Sequence, residues 1–428
     1  MRRLLAWVAR FAASLLMRRV EVAGLDRLPQ GRPVLLVANH FNGFVDPLVI
    51  AAVVGRLPRF IARGGLRRVP LMGLVLRAAG VVFVRRPGDD ASGPASNDVA
   101  FAECHRALVA RDVVAIFPEG TTHDRPRIDP LKTGAARIAL GARAAGAEAV
   151  AIVPVGLTFP DKIALRSSAL VQIGTPIELD VVVPPPAGAD DVEAVRRLTA
   201  VIDRGLRAVS QDFTDVETSL ALEQAAHIAL SSEAEPDPSL EARYDLARRL
   251  GRADAAAQDA VRQEVGRYST LLAGLRLTDA DVITPTNPTG LLRSALGIAI
   301  LVVLLGGVVA ATALVNVWPA LLVAVVSLFV TTPVTKGTVR VLVGLVSFPI
   351  AWITAAVIAT DGALRVGALV VTMALGALAA VWLVERAIAL ALMLLRWRAQ
   401  LERASTVGLA EAVRADVVAT TLAAAGPG

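Results

Sequence analysis

Cysteine, tyrosine and histidine are scarce in this chain. Its 428 residues include one cysteine, two tyrosines and four histidines. A single cysteine excludes an internal disulfide. The histidines are scattered, with no His-Glu-x-x-His sequence and no cysteine pair, so the sequence predicts no metal site and no metal cofactor. Aromatic residues make up only 4% of the chain, and the absence of a groove-reading motif argues against nucleic acid as a partner.

Sequences typical of covalent nucleophiles are also lacking. No Gly-x-Ser-x-Gly sequence occurs in residues 1–200, so an acyl-serine intermediate is not indicated. Cys104-His105 resembles a nucleophile with its base. The pair lies in residues 97–111, which are predicted to form an amphipathic helix, and adjacent helical residues do not face each other. We therefore expect a structural role for both side chains.

Apolar residues are abundant instead, at 55% of the chain with a mean hydropathy of +0.59. The excess begins after residue 290, where four apolar stretches are each about long enough to cross a bilayer: 294–315, 318–334, 338–359 and 366–384. Cations lie near both ends of this region and in the 335–340 loop, so the positive-inside rule predicts the cytoplasm for these three places. The sequence thus predicts an integral membrane protein whose N-terminal half faces the cytoplasm. The net charge of +6 favours contact with anionic lipid.

The composition changes along the chain predict five segments. They are an N-terminal interfacial helix (1–22), an α/β domain (23–185), a helical region (186–288), a membrane domain of about four helices (289–398) and a helical tail (399–428). Arg10 interrupts the first apolar run, which favours an interfacial helix over a membrane span. A helix that simply packs on the domain is the alternative.

Strand and helix patterns alternate in the α/β domain. Apolar runs predict strands at 32–38, 59–63, 80–86, 113–117, 149–157 and 170–173, with helices between them. This alternation predicts a mainly parallel sheet flanked by helices. Ligand sites in such sheets lie beyond the carboxyl ends of the strands. His40, Arg85, Glu119 and Gly156 are all predicted at that edge.

His40 and Asp46 lie on one predicted turn between a strand and a helix. Asp46 is the predicted N-cap of the helix, with Pro47 at its first position. If the turn folds back, the carboxylate binds one imidazole nitrogen and leaves the other free to take a proton from an alcohol. The alternative is a loop histidine and a carboxylate that only caps the helix.

A second group of residues is suited to an anionic substrate. Two cations, Arg85 and Arg86, end a predicted strand and could pair with a phosphate; a solvated strand end is the alternative. The carboxylate of Glu119 could accept hydrogen bonds from glycerol hydroxyls, and Gly120 permits close approach of the backbone. The remaining candidates are Thr121 and Lys132 for binding, and residues 123–125 either beside the site or in an exposed loop.

These residues resemble the phospholipid/glycerol acyltransferase family. The resemblance covers about residues 20–180 in four ordered blocks: Asn39-His40 with Asp46, Gly80–Arg86, Phe117–Thr121 with Leu131–Gly134, and Val153-Pro154-Val155. The family commonly has four residues between the His and the Asp, whereas this chain has five. The longer spacing resembles the branch of fungal glycerol-3-phosphate/dihydroxyacetone-phosphate acyltransferases. Thr121-Thr122 stands where many relatives have Thr-Arg-Ser, and Arg85-Arg86 where one Arg is usual.

The resemblance implies an O-acyltransferase that works by a single displacement. His40 would be the general base, Asp46 its orienting partner, and the remaining residues, Arg85, Arg86, Glu119, Gly120, Thr121 and Lys132, would bind the acceptor. Acyl-CoA or acyl carrier protein would be the donor, and no cofactor is implied. Glycerol 3-phosphate is the expected acceptor, with lysophosphatidate or another lyso-lipid as the alternative.

Two classes of function other than catalysis fit parts of the chain. One is a lipid-binding membrane protein without activity, against which the intact His40, Asp46 and Glu119 argue. The other is a transporter, suggested by the apolar stretches alone. Apart from Arg340, these stretches contain no ionisable residue of the kind that transport paths need.

Overall fold

A computed structural model describes residues 2–68, 72–84, 97–162, 166–284, 287–402 and 404–426. The chain divides into two units. The first contains residues 1–214 together with 333–338, and the second contains residues 215–332 and 339–428.

The first unit is built around one sheet. Its strands are β1 (Met17–Ala23), β2 (Val34–Ala38), β3 (Arg59–Arg63), β4 (Val82–Val84), β5 (Val113–Ile116), β6 (Ala151–Thr158), β7 (Ser167–Ile173) and β8 (Ile177–Glu178). Its helices are α1 (Arg2–Leu16), α2 (Val45–Val53), α3 (Met72–Ala78), α4 (Asp98–Val109), α5 (Gly134–Ala144), α6 (Leu179–Val182) and α7 (Val192–Val209).

The sheet is mainly parallel, as predicted. Its order is β1-β7-β6-β2-β5-β3-β4, and β8 pairs with β6. β2 is parallel to both of its neighbours, with Leu36 opposite Ala115 on β5 and Val153 on β6. Only β6–β7 and β6–β8 are antiparallel among the described pairs. The carboxyl ends of β2, β5 and β6 therefore lie at one edge of the sheet. This arrangement brings His40, after β2, close to Glu119, after β5.

β2 is the centre of this sheet. Each of its five side chains is at most 1% exposed, as expected for a parallel strand covered on both faces. Leu35 and Val37 share one apolar core with residues of α4, α5 and α7. Burial of each such side chain is worth about 1.5–3 kcal/mol. This continuous burial fixes the register of β2 and with it the position of the turn that follows.

Two boundaries differ from those predicted. The N-terminal helix ends at Leu16, and the next seven residues form the edge strand β1, in which Val22 lies opposite Val171. The helical region begins after residue 214 rather than at 186, because Leu198, Ile202 and Leu206 of α7 are buried in the core of the α/β unit. The amphipathic pattern of α7 was therefore assigned to the wrong unit.

The second unit is helical. Its helices are α8 (Val216–Leu230), α9 (Leu240–Gly251), α10 (Ala255–Leu275), α11 (Asp279–Ile283), α12 (Pro288–Leu328), α13 (Pro333–Ala359), α14 (Ala363–Glu402) and α15 (Ala404–Ala425). Side chains of Asp215, Ser239 and Asp254 cap the N-termini of α8, α9 and α10 by accepting backbone N–H bonds. These caps satisfy donors that have no partner inside the helix.

Three helices of the described residues are long and apolar enough to cross a membrane. The four predicted stretches are thereby corrected to three helices, because 294–315 and 318–334 fall mostly within the single helix α12. The two residues between these stretches carry no charge, and the nearby Pro319 lies inside α12. Proline is tolerated in membrane helices when neighbouring groups satisfy the freed backbone, so it did not mark a helix end here.

Both ends of the apolar region lie beside each other in the second unit. Ser294 near the start of α12 donates to Met393 near the end of α14, and Asn316 of α12 donates to the carbonyl of Met373. These pairs make α12 and α14 antiparallel. The Gln400 amide donates to the carbonyl of Asp281 on α11 over 3.1 Å, which ties the exit of α14 to the entry of α12.

Candidate active site

The turn after β2 begins with Asn39, whose side chain makes the two hydrogen bonds that the backbone of a paired strand would make. Asn39 is fully buried, its amide nitrogen donates to the carbonyl of Leu157 over 2.8 Å, and its Oδ1 accepts from the N–H of Leu157 at 2.6 Å. The β2–β6 register ends at Ala38 opposite Val155. The Asn39 side chain thus continues the pairing while its backbone is released to turn.

His40 and Asp46 are brought together by this turn. His40 Nδ1 lies 2.8 Å from Asp46 Oδ2, and the same oxygen accepts from the N–H of Asn42 over 2.9 Å. A carboxylate accepts, so Nδ1 carries the proton and Nε2 carries the lone pair. The Asp46 side chain is fully buried, whereas that of His40 is 18% exposed. The geometry presents an imidazole that is oriented by a carboxylate through Nδ1, with Nε2 directed away from that carboxylate.

The predicted N-cap role of Asp46 is wrong. Phe44 is the N-cap of α2, and Asp46 is the second residue of the helix. The helix begins two residues earlier than predicted, and the Asp46 carboxylate is directed back to the turn, toward His40 and the N–H of Asn42. Two donors on one oxygen hold the carboxylate more firmly than a cap would.

Glu119 reaches the site from β5, which is next to β2. It is 3% exposed. Its Oε1 accepts from the backbone N–H of His40 at 3.0 Å, and its Oε2 accepts from the N–H of Asp129 at 2.8 Å. His123 Nε2 lies 2.7 Å from the same Oε2. Both oxygens therefore bind donors of the protein, while the predicted contact with a substrate hydroxyl stays a prediction.

One group of His, Asp and Glu residues in the described part of the chain has a spacing that would suit a metal ion. Glu119, His123 and Asp129 each offer one ligand atom, all within 4.8 Å of one another. These atoms already bind neighbours, because His123 binds Glu119 and Asp129 pairs with the guanidinium of Arg125. Glu119, His123 and Asp129 therefore form a hydrogen-bonded network in which the guanidinium of Arg125 supplies a positive charge.

Aromatic rings enclose the turn. The imidazole of His40 stacks on Phe117, with ring centroids 4.1 Å apart and an interplanar angle of 15°. The next residue, Phe41, is fully buried. Its ring meets that of His123 edge-on at 5.3 Å, and the ammonium of Lys162 lies 4.7 Å from its centroid. The stacked ring of Phe117 limits the movement of the His40 imidazole, and the buried ring of Phe41 fixes the next residue of the turn.

Lys162 is a cation near the site that sequence reasoning missed. It follows β6, whose chain end lies at the same edge as those of β2 and β5. Placing this loop at the sheet edge beside Glu119 and His40 would have identified it. A cation over an aromatic face is attracted by the ring quadrupole.

The remaining predicted residues fall into two groups. Gly120 has a positive φ of 72°, and a Cβ there would lie 2.6 Å from Lys132 Nζ, so the Lys132 side chain crosses the glycine turn. Thr121 is exposed on the same turn. Arg85 and Arg86 lie outside the described residues.

Gly156 is not at the strand end where it was predicted. It lies within β6, and a Cβ at this position would meet the carbonyl oxygen of Val209 at 1.8 Å. The glycine is required by the close approach of the C-terminal end of α7. Its role is packing behind the sheet edge.

Cys104 and His105 have the structural roles that were expected. Cys104 is fully buried, and burial raises the pKa of its thiol to about 12, so the nucleophilic thiolate is suppressed. Burial lowers the pKa of His105. The His105 ring packs against Gly141 of α5, where a Cβ would overlap it at 2.4 Å. Both residues join α4 to the core.

Comparisons with known proteins agree with this geometry. Residues 19–158 match the family model described as Acyltransferase. The chain is 34% identical over 161 residues to the lyso-ornithine lipid O-acyltransferase of Brucella abortus, covering 37% of this chain and 56% of that protein. It is also 34% identical over 133 residues to glycerol-3-phosphate O-acyltransferase 2 of Saccharomyces cerevisiae, covering 31% of this chain and 18% of that protein.

A solved structure is similar over the same part of the chain. The crystal structure of the 1-acyl-sn-glycerophosphate acyltransferase of Thermotoga maritima shares 21% identity with a TM-score of 0.36, covering 48% of this chain and 80% of that one. The chain spans about half the length of the first curated relative that it matches.

Proposed function

We propose that this chain is an O-acyltransferase of glycerolipid synthesis, which the match of residues 19–158 to the acyltransferase family model supports. The observation that carries the proposal is the 2.8 Å contact between His40 Nδ1 and the buried carboxylate of Asp46. This contact sets the tautomer in which Nε2 is the base. Oriented bases of this kind contribute about 10²–10⁴-fold to a rate.

The proposed reaction is a single displacement. His40 Nε2 takes the proton of an acceptor hydroxyl as its oxygen attacks the carbonyl carbon of an acyl thioester. The tetrahedral intermediate then expels the thiolate as the C–S bond breaks, and the thiolate takes the proton from the imidazolium. Asp46 stabilises the imidazolium while it exists. The donor is the thioester of CoA or of acyl carrier protein, and the reaction balances without a metal or another cofactor.

Glycerol 3-phosphate is the proposed acceptor. The five residues between His40 and Asp46 support it through the resemblance to the fungal branch, as does the similarity to a relative named for glycerol 3-phosphate. Lys132 and Lys162 are the proposed cations for a phosphate among the described residues, and Arg85 and Arg86 are proposed from the sequence alone. A lyso-lipid, including lysophosphatidate, is the second candidate, and the relative named for a lyso-ornithine lipid favours this class.

The three long apolar helices support action at a bilayer. We propose that the α/β unit faces the cytoplasm, where acyl thioesters are available, since Arg293 near the start of α12 and Arg396 near the end of α14 are cations at the two adjacent ends of the apolar region. The exposed Trp7 stacks on Phe11 along α1, which suits the proposed placement of this helix at the membrane interface.

The test is acyl transfer by membranes that contain the wild type or His40→Ala. Radiolabelled oleoyl-CoA is offered with glycerol 3-phosphate, lysophosphatidate or lyso-ornithine lipid in parallel. We expect transfer to glycerol 3-phosphate that His40→Ala abolishes and that His105→Gln, a change at a histidine on α4, leaves intact. Equal transfer by wild type and His40→Ala would refute the base. Preferred transfer to a lyso-lipid would show that a lyso-lipid, rather than glycerol 3-phosphate, is the acceptor. Lipid binding without transfer to any acceptor, from CoA or carrier-protein donors, would favour a binding protein.

A further inference from the structure

We propose that His123 is a positioning residue that fixes the Glu119 carboxylate, and through it the backbone of His40, instead of binding the acceptor. The inference rests on the proposed function, because it takes His40 as the base. It assigns a role to two residues whose types alone would equally suit contact with a substrate hydroxyl or phosphate.

The first argument is the enclosure of Glu119. Three protein donors converge on its carboxylate, from His40 N, Asp129 N and His123 Nε2, over 3.0, 2.8 and 2.7 Å. Hydrogen bonds to a carboxylate are among the stronger hydrogen bonds in proteins. With 3% of the residue exposed, a substrate hydroxyl would have to displace one of these donors and leave it buried without a partner. Glu119 is therefore suited to holding protein rather than ligand.

The second argument is that His123 is linked to two consecutive residues of the turn, directly to Phe41 and through Glu119 to His40. Its Nε2 reaches the N–H of His40 through Glu119, and its ring meets Phe41 edge-on at 5.3 Å. The His123 side chain is 9% exposed, and its Nδ1 is buried without a hydrogen-bond partner among the described residues. A buried imidazole nitrogen without a hydrogen-bond partner is unfavourable, and the contacts of the ring with the turn offset this.

The third argument is the way in which the base is anchored. Asn39 is bound to β6 and the His40 ring is bound to Asp46. The peptide N–H of His40 lies between these two anchors, and Glu119 is its partner. Loss of this middle anchor frees the peptide that carries the imidazole. Displacement of a catalytic group by about 1 Å can cost about 10²-fold in rate.

The test compares His123→Leu with His123→Gln in the purified full-length protein. Leu removes the donor, whereas the Gln amide can still donate to Glu119 Oε2. We expect His123→Leu to lower kcat about 100-fold with the acceptor KM changed less than about threefold. We expect His123→Gln to recover at least tenfold of that loss. His105→Leu is the matched control, because it makes the same change at a buried histidine that binds the carbonyl of Arg137, away from the turn; its kcat should not change.

The opposite results are equally clear. A raised acceptor KM with unchanged kcat in His123→Leu would make His123 a substrate ligand and overturn the inference. Wild-type kinetics in His123→Leu, or equal loss in Leu and Gln at matched thermal stability, would also overturn it. If His123→Leu does not accumulate as folded protein, His123→Asn, whose shorter side chain cannot reach Glu119, replaces it in the comparison with Gln. His40→Ala is measured in parallel, because its retained turnover would refute the proposed function itself.

Discussion

Replacement of Asp46 by Asn separates the charge of the orienting carboxylate from its shape. Asp46 Oδ2 accepts from both His40 Nδ1 and the N–H of Asn42, and an amide oxygen at the same place can accept both bonds. The amide nitrogen would take the place of Oδ1, which is buried without a hydrogen-bond partner among the described residues. Asp46→Asn is therefore expected to fold and to keep the turn while it loses the negative charge.

The expected loss follows from the charge that His40 develops. When the imidazole takes the proton of the acceptor, it carries a positive charge whose centre is about 4 Å from the carboxylate. At an effective dielectric constant of about 20, the lost attraction is about 4 kcal/mol. Because about 1.4 kcal/mol corresponds to tenfold in rate, we expect kcat to fall about 10³-fold. The acceptor KM should change little, since the pair acts on the transition state.

The assay is acyl transfer at saturating donor with varied acceptor, alongside Asp112→Asn. Asp112 is a partly buried carboxylate that pairs with Arg59 and accepts from the N–H of Val113, at the opposite end of β5. This control loses a similar ion pair far from His40 and should retain kcat. A kcat for Asp46→Asn within about threefold of wild type, in protein with unchanged melting temperature, would refute the assignment of Asp46 as the partner of the base.

Two further predictions concern parts of the chain away from the base. With its pKa raised to about 12 by burial, Cys104 should resist iodoacetamide at pH 9 in the native protein and react fully after denaturation; rapid native alkylation would contradict its burial. In the apolar helices, Asn316 accepts from the Trp352 indole and donates to the carbonyl of Met373. At about 0.6 kcal/mol for each such bond, Asn316→Leu should lower the free energy of unfolding in detergent by about 1 kcal/mol. Thr372→Val, at a hydroxyl that donates to Ala368 in its own helix, should change it little.

The sheet and the contact between His40 and Asp46 could be predicted because local patterns decide them. Val34–Ala38 is an uninterrupted apolar run, which is what a strand buried on both faces requires. Once neighbouring strands are parallel, the residues after them must meet at one edge, so His40 and Glu119 could be placed together. β1 escaped notice because Arg18, Arg19 and Glu21 are charged, and an edge strand tolerates such residues where a central strand does not.

Other features depend on contacts between residues far apart in the sequence. Glu119 presents the same sequence signal whether its oxygens bind a substrate or the N–H of His40, and only the folded turn separates these uses. A glycine near the end of a strand suggests a loop that approaches a ligand. Gly156 is required instead by the close approach of Val209 from α7. The continuity of α12 through Pro319 likewise depends on neighbouring helices rather than on its own residues.

The tie between the two ends of the apolar region restricts how the chain can be threaded through a bilayer. Gln400 binds Asp281, and Arg414 of α15 pairs with Asp279 over 2.8 Å, so the chain re-emerges where it entered. A chain that leaves one side of a membrane and returns to that side crosses the membrane an even number of times. Three complete passes by α12, α13 and α14 would deliver α15 to the wrong compartment. If all three helices enter a bilayer, keeping the contacts of Gln400 and Arg414 therefore requires that one of them makes no net passage, so that α11 and α15 stay on the same side.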